Sequence, residues 1–171
     1  MTEQAERAEQ AERAALTGFL QAQRRSVLAI LAGLDEKNVR RTVVPSGWTP
    51  LGIIEHLAHA ERMWFQQVLT GRADALPWPP ATEDDGEGPF VTEHQMDEVL
   101  AFYRRQCAIA DEVLARTALS ASPSGDVPYL ADEICEARGI ILHMIEETAR
   151  HAGHLDLARE LIDGRTGLGP R

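Results

Sequence analysis

The chain has 171 residues, of which 44% are hydrophobic, and 17 Lys and Arg residues against 27 Asp and Glu residues give a formal net charge of -10. This composition predicts one soluble globular domain, and its acidic balance argues against a nucleic-acid-binding surface, which needs clustered Lys and Arg. No window approaches the roughly 18 apolar residues of a membrane span, and the polar N-terminus is not a secretory signal, so a cytoplasmic protein is expected.

Four long segments carry apolar residues at the three- and four-residue spacing of amphipathic helices. The spacing predicts helices over residues 2–34, 49–70, 92–117 and 130–163. Residues 1–13 are polar and nearly repetitive, which is typical of a frayed extension, and residues 164–171 read as a tail. No segment alternates as a half-buried strand does. We therefore predict an all-α four-helix bundle that forms a single domain over residues 1–171.

Capping residues support the starts of the second and third predicted helices. Thr49 is a good N-cap, and Pro50 suits the first helical position, where no N–H is needed. Thr92 and Gln95 have the spacing of a capping box, in which two side chains satisfy free backbone donors. The second helix is therefore predicted to begin at Thr49, and the third at Thr92.

A long linker, residues 71–91, joins the second and third predicted helices. Its 21 positions can extend over roughly 70 Å, twice what a return along a helix of about 30 Å requires. We predict that the two helices run parallel and that this linker is a crossover; the alternative is a short hairpin with a disordered flap. Trp78 in the linker and Trp48 before the second helix either line the mouth of a pocket or cover the end of the bundle.

The two cysteines, Cys107 and Cys135, lie 28 positions apart, among apolar residues and with no C-x-x-C motif. That pattern is typical of reduced thiols rather than of a disulfide framework. We predict that both thiols are buried and structural.

The fourth predicted helix places several metal-capable side chains on one side. His143, Glu147, His151 and His154 fall within about 80° of one another around the helix axis. Glu147 and His151 lie four positions apart, about 6 Å along the axis, so both could reach one ion. The same spacing also suits an ordinary glutamate–histidine pair.

The second predicted helix offers a partner for this group. His56 borders its apolar face, whereas His59 lies about 60° towards the polar side. An imidazole on an apolar face is costly unless it has a partner. His56, Glu147 and His151 would supply two nitrogens and one oxygen and leave a coordination position open. Such a set suits a divalent metal, zinc foremost, with nickel, iron or manganese as further choices.

The stretches SGWTPLGIIEHLAHAERMWF and HMIEETARHAGHLDLARELIDGRTG together resemble the DinB-like superfamily, and within it an actinobacterial branch catalogued as a domain of unknown function. The resemblance covers residues 14–167 and implies a four-helix bundle of up-down-down-up topology. It implies a divalent metal held by His56, Glu147 and His151, a set similar to that of the metal-binding domain of mycothiol-dependent maleylpyruvate isomerase.

Other polar groups of the two motifs are not ligands in this resemblance. His59, His154 and Trp48 are left around the metal or in contact with substrate, and His143 is a further candidate for the same role. The resemblance therefore implies three protein ligands and a surrounding layer that orients them or binds a small molecule.

The similar enzymes are thiol S-transferases that use mycothiol, bacillithiol or glutathione. The resemblance implies a metal-dependent thiol S-transferase or isomerase in which a low-molecular-weight thiol, mycothiol foremost, attacks a small electrophile as a metal-bound thiolate. A non-enzymatic, stress-associated metal-binding bundle and a plain bundle without metal are the alternatives. The expected partners are the thiol and the electrophile, with no nucleic acid and no membrane, and family analogy suggests a homodimer.

Overall fold

The computed structural model describes residues 3–78 and 90–167. Its regular elements, in chain order, are α1 (Glu3–Leu31), the single turn α2 (Glu36–Val39), α3 (Pro50–Glu61), α4 (Met96–Arg116) and α5 (Ala137–Asp163). Helix α3 continues directly into a π-helical segment, Arg62–Val68. The described residues contain no strand, so the predicted all-α class is confirmed. Among the described helices, none has both the length and the apolar character needed to cross a membrane.

Helix α4 begins four residues later than predicted. Its N-cap is Gln95, and the backbone N–H of Gln95 donates to the Glu98 carboxylate at 3.2 Å, as in a capping box. The Thr92 hydroxyl instead accepts the backbone N–H of His94 at 3.1 Å. Thr92 therefore organises the turn before the helix, and its predicted role as the first capping residue is wrong.

Helix α5 begins at Ala137 rather than at residue 130. Leu130 has a φ of 58°, a left-handed conformation that a helix cannot contain. The preceding loop is anchored on the π-helical segment, because the N–H of Gly125 donates to Val68 O at 2.8 Å. A Cβ at Gly125 would lie 2.1 Å from Gln67 O, so only glycine allows this approach. The loop carries Tyr129 to the N-terminal part of α5.

Helices α3 and α4 pack side by side along most of their length. Their contacts advance together along both helices: Glu55 with His94, His59 with Phe102, and Gln66 with Gln106. The two helices therefore run in the same direction. Residues 79–89 of the predicted crossover lie outside the described residues.

Helices α1 and α5 form the second close pair. Glu12 accepts from Arg138 near one end, and the buried Arg159 donates to Ile30 O at the other. Arg13, further along the polar N-terminal stretch, donates to the last carbonyls of α4. Helix α1 is continuous from Glu3, and its N-terminal part packs on the ends of two other helices. Residues 168–171 of the predicted tail lie outside the described residues.

A buried ion pair joins the helices at the centre of the core. The Arg24 guanidinium of α1 donates twice to the Glu61 carboxylate of α3, at 2.7 and 2.5 Å, and once to Asp111 of α4 at 2.7 Å. Arg24 and Glu61 are almost completely buried. Burial raises the pKa of Glu61, and the facing guanidinium acts in the opposite direction. Three helices thus depend on one charge-paired contact.

The cysteines differ in their surroundings. Cys107 on α4 is half-buried, whereas Cys135 is exposed in the turn before α5. Both are free thiols, as expected, but the prediction that both are buried is wrong for Cys135. Cys135 lies in a loop that the sequence had assigned to the fourth helix, where its neighbours would have covered it.

We expect the Glu61→Gln variant to lose about 3 kcal/mol of unfolding free energy, because it leaves the buried Arg24 with only the half-exposed Asp111 as counter-ion. Urea unfolding monitored by circular dichroism measures the loss. Glu112→Gln is the matched control, since Glu112 forms an exposed pair with Arg116 at 3.8 Å and its change should have no measurable effect. Equal unfolding midpoints for the two variants would contradict the central role of the pair.

Candidate metal centre

Three potential ligands meet where α3 faces α5. The Nε2 atom of His56 lies 2.9 Å from Glu147 Oε1, and the Nε2 atom of His151 lies 3.1 Å from the same oxygen. All three ligand atoms lie within 4.8 Å of one another. His151 is buried, and the other two side chains are partly exposed. The structure therefore brings together His56, Glu147 and His151, the three residues that were predicted from the sequence as metal ligands.

This geometry fits a divalent ion. Two ligands that are each about 2.1 Å from an ion lie about 3.0–3.4 Å apart at octahedral and tetrahedral angles. Both short separations to Glu147 Oε1 are close to that range. The widest separation in the group, up to 4.8 Å, exceeds the roughly 4.2 Å that two such ligands can span, so one side chain would have to move slightly towards the ion. Among the described residues, the buried Nδ1 atom of His151 has no hydrogen-bond partner, whereas its Nε2 atom faces Glu147. Two nitrogens and one oxygen form a donor set that zinc and other divalent metals accept.

Glu147 is held in the form that a ligand requires. Hydrogen bonds from His151 and His56 hold the pKa of its carboxyl far below the usual range, against the opposing effect of burial. The carboxylate is therefore ionised at neutral pH, and its charge faces both imidazoles. A cation placed between the three groups would meet a negative charge that is already formed.

Phe90 covers one side of the group, and sequence analysis missed it. Its ring stacks on His56, with 4.2 Å between centroids, and stands edge-on to His151 at 5.5 Å. The N–H of Thr49 donates to Phe90 O at 2.9 Å, which ties this residue to the start of α3. A Cβ at Gly52 would lie 2.0 Å from Phe90 O, so the glycine makes room for the crossing chain. In the sequence, the signal of this contact is Gly52, a glycine on the apolar face of a predicted helix. It indicates that another chain segment approaches closely, but not that the segment contains Phe90.

His154 lies beside His151, and Trp48 lies beside His154. The His154 ring centroid is 5.4 Å from that of His151 and 5.9 Å from that of Trp48. Burial, together with the charges of His151 and Arg150, lowers the pKa of His154. The two residues form an aromatic wall next to the candidate ligands, and their role around the metal or substrate stays a prediction.

His59 lies on a different side of α3 from His56, the candidate ligand on that helix. Its Nε2 atom is 3.7 Å from Glu55, whose carboxylate also accepts from His94 at 3.1 Å. Burial raises the pKa of Glu55, but hydrogen bonds from His59, Thr92 and His94 outweigh it and hold the pKa below its usual value. Trp78 stacks on His94 at 4.0 Å. This second histidine–carboxylate group joins α3 to the segment before α4.

The comparison with protein families gives one match. A family model described as mycothiol-S-transferase (MST) matches residues 15–164, which contain all three candidate ligands. The chain belongs to this family. Its membership agrees with the resemblance to the DinB-like superfamily, which is thereby confirmed. Comparisons with curated proteins and with solved structures give no match.

Family membership places the three candidate ligands in a chain of the mycothiol-S-transferase family, for which a small-molecule thiol is the implied partner. The match spans both ligand-bearing helices and the Phe90 segment between them.

We expect Gly52→Ala to destabilise the fold by about 1–3 kcal/mol, because the new Cβ would collide with Phe90 O and break its bond to Thr49. Gly18→Ala is the matched control: Gly18 lies within α1 with no atom within 4 Å of an added Cβ, so the change should stabilise the helix by up to about 1 kcal/mol. Thermal and urea unfolding of both variants measure the two effects. A Gly52→Ala protein as stable as the wild type would contradict the close approach of Phe90 to α3.

Proposed function

We propose that this protein is a divalent-metal-dependent thiol S-transferase, or an isomerase of the same chemistry, that uses mycothiol as its thiol. His56, Glu147 and His151 are the proposed metal ligands. The observation that carries the proposal is the convergence of two imidazole nitrogens and one carboxylate oxygen within 4.8 Å, in a chain of the mycothiol-S-transferase family. Zinc is the first choice of metal, and nickel, iron and manganese suit the same donors.

The chemistry follows from the charges of this site. A bound divalent ion would lower the pKa of a thiol at its open coordination position and hold it as a thiolate at neutral pH. Glu147 contributes a carboxylate that is already ionised, and the buried His151 contributes a ring whose orientation is restricted by packing. Phe90 shields His56 from water on one side, so the ligand would approach from elsewhere.

The protein's own thiols do not fit the role of nucleophile. Burial and the charge of Glu61 raise the pKa of Cys107, which disfavours its thiolate. Cys107 lies on α4, and the proposed ligands lie on α3 and α5. Cys135 is exposed in the turn before α5, and the helix from Ala137 to Glu147 separates it from the proposed ligands by about 15 Å. An external thiol is therefore the nucleophile of the proposed reaction.

The proposed architecture is a DinB-like four-helix bundle of up-down-down-up topology. The parallel contacts within the pairs α1–α5 and α3–α4 support it. Contacts between the pairs run in opposite directions: His56 meets Glu147, whereas Trp64, further along α3, meets His143, which is earlier on α5. In this arrangement the ligands come from two neighbouring antiparallel helices, which is how bundle cores hold metals.

We expect His151→Ala and Glu147→Gln to weaken metal binding at least about a hundredfold, because each change removes one of three protein ligands. Metal content after equilibrium dialysis, determined by inductively coupled plasma mass spectrometry, measures the loss. Glu146→Gln is the matched control, since Glu146 is the exposed neighbour of Glu147 on α5. Stoichiometric metal in the His151→Ala protein would overturn the ligand assignment.

We expect S-conjugation of mycothiol to monobromobimane, followed by chromatography, to exceed its spontaneous rate only with the folded protein and its metal. Removal of the metal should abolish the enzyme-dependent rate, and reloading with zinc should restore it. Cys107→Ser should keep the wild-type rate, because the nucleophile is external. Tight metal binding with no conjugate formed from a panel of electrophiles would instead favour the non-enzymatic metal-binding bundle.

A further inference from the structure

An aromatic cluster lies one helical turn from the candidate metal centre. Trp64 and His143 face each other with 4.6 Å between ring centroids. Tyr129, from the loop before α5, stands perpendicular to Trp64 at 5.2 Å and lies 5.7 Å from His143. His143 precedes Glu147 by four positions, a rise of about 6 Å along α5. The proposed function does not use this cluster.

The π-helical segment accounts for the position of Trp64. In a continuous α-helix, Trp64 would point about 80° away from His56, eight positions earlier. The residues from Arg62 to Val68 form a π-helix, which turns less per residue than an α-helix does. Trp64 is therefore rotated back towards the side of α3 that carries His56, and it meets α5 beside His143. Single π-helical turns are frequent at functional sites for this kind of reason.

Two polar atoms of the cluster lack partners. Trp64 is fully buried, and its Nε1 atom forms no hydrogen bond with any described residue. The Nε2 atom of His143 is likewise buried without a partner in the described part of the chain. A buried polar atom that is left unpaired costs about 1–3 kcal/mol. The indole N–H can only donate, so it favours a ligand that supplies an acceptor, and the Nε2 atom of His143 donates or accepts according to its tautomer.

Tyr129 adds a third polar group, at the surface of the cluster. Its side chain is about half exposed, and it reaches the cluster from the loop that Gly125 anchors. Burial and the charge of Glu147 raise the pKa of its hydroxyl, whereas the Trp64 indole N–H, which lies near the hydroxyl without forming a hydrogen bond of normal geometry, lowers it. The hydroxyl thus lies within electrostatic reach of both the candidate metal ligand and the buried indole. Leu130, which follows it, is held in a strained left-handed conformation.

We propose that Trp64, Tyr129 and His143 form a subsite that binds a carbonyl oxygen of the thiol ligand held at the metal. This inference rests on the proposed function. The indole N–H and the phenol O–H would donate to that oxygen, with the imidazole of His143 beside them. The subsite lies one helical turn, about 6 Å along α5, from Glu147, so it would bind a group that is a few bonds away from the sulfur of the ligand. The ligand class is therefore a thiol that carries an amide near its sulfur.

Two small thiols of equal chain length test the subsite. N-acetylcysteamine has the amide, and 1-pentanethiol lacks it. Cobalt-substituted protein reports binding of either thiol through the thiolate-to-cobalt absorption band, and a titration gives each dissociation constant. Trp64→Phe and Tyr129→Phe each remove one donor and keep an aromatic ring. Each should raise the dissociation constant of N-acetylcysteamine about fivefold, the equivalent of one hydrogen bond, and leave that of 1-pentanethiol unchanged.

Tyr103→Phe is the matched control, because Tyr103 is also buried with an unpartnered hydroxyl but lies on α4, beside Cys107. It should change neither dissociation constant. If Trp64→Phe fails to fold, the partly exposed Tyr129→Phe decides alone. Equal effects on both thiols, or no effect on either, would overturn the subsite while leaving the proposed function intact. Bound cobalt without an absorption band for either thiol would overturn the proposed function, and the subsite with it.

Discussion

One carboxylate oxygen joins the two helices on which the candidate site depends. Glu147 Oε1 lies within hydrogen-bonding distance of His56 on α3 and His151 on α5. Hydrogen bonds from the two imidazoles stabilise the Glu147 carboxylate, and a metal ion between the three groups would stabilise it as well. Either interaction alone is enough to hold the carboxylate in this position. The packing of α3 against α5 sets this distance. That packing depends in turn on the ion pair of Arg24 with Glu61, which ties α3 to α1 at the centre of the core.

Much of the fold was predictable because helix signals are local. Thr49 and Pro50 begin α3 as the sequence indicated, and Gly164 ends α5 in a left-handed conformation. The predicted helix boundaries that were wrong depend on contacts between segments that are distant in sequence. Leu130 has an ordinary helical sequence context, and only the loop anchored on the π-helical segment gives it a positive φ. The sequence offers no comparable signal for the π-helix itself, since its residues suit a buried α-helix equally well.

In the candidate site, too, some residues could be identified from the sequence and others could not. His56, Glu147 and His151 were identifiable because each is a polar residue on or beside an apolar face, where burial requires a partner. Phe90 was not identifiable, because an aromatic residue after an acidic linker carries no sign of the helix it crosses. The group of Glu55, His59 and His94 was missed for a related reason. His94 lies just before α4, and nothing local to it indicates that it faces a carboxylate on α3.

In the π-helical segment, an insertion or deletion of one residue would have a specific structural effect. A π-turn holds one residue more than an α-turn over the same height, so losing one residue between 62 and 68 would restore a regular α-helix. The face of α3 that carries His56, the candidate ligand, lies before the segment and would be untouched. The residues after the segment would keep their orientation, because the extra residue is accommodated within the π-turn, whereas residues inside the segment would rotate, and the Trp64 indole would turn away from His143. A one-residue difference in length at this point could therefore separate proteins that keep the same ligands but bind different small molecules.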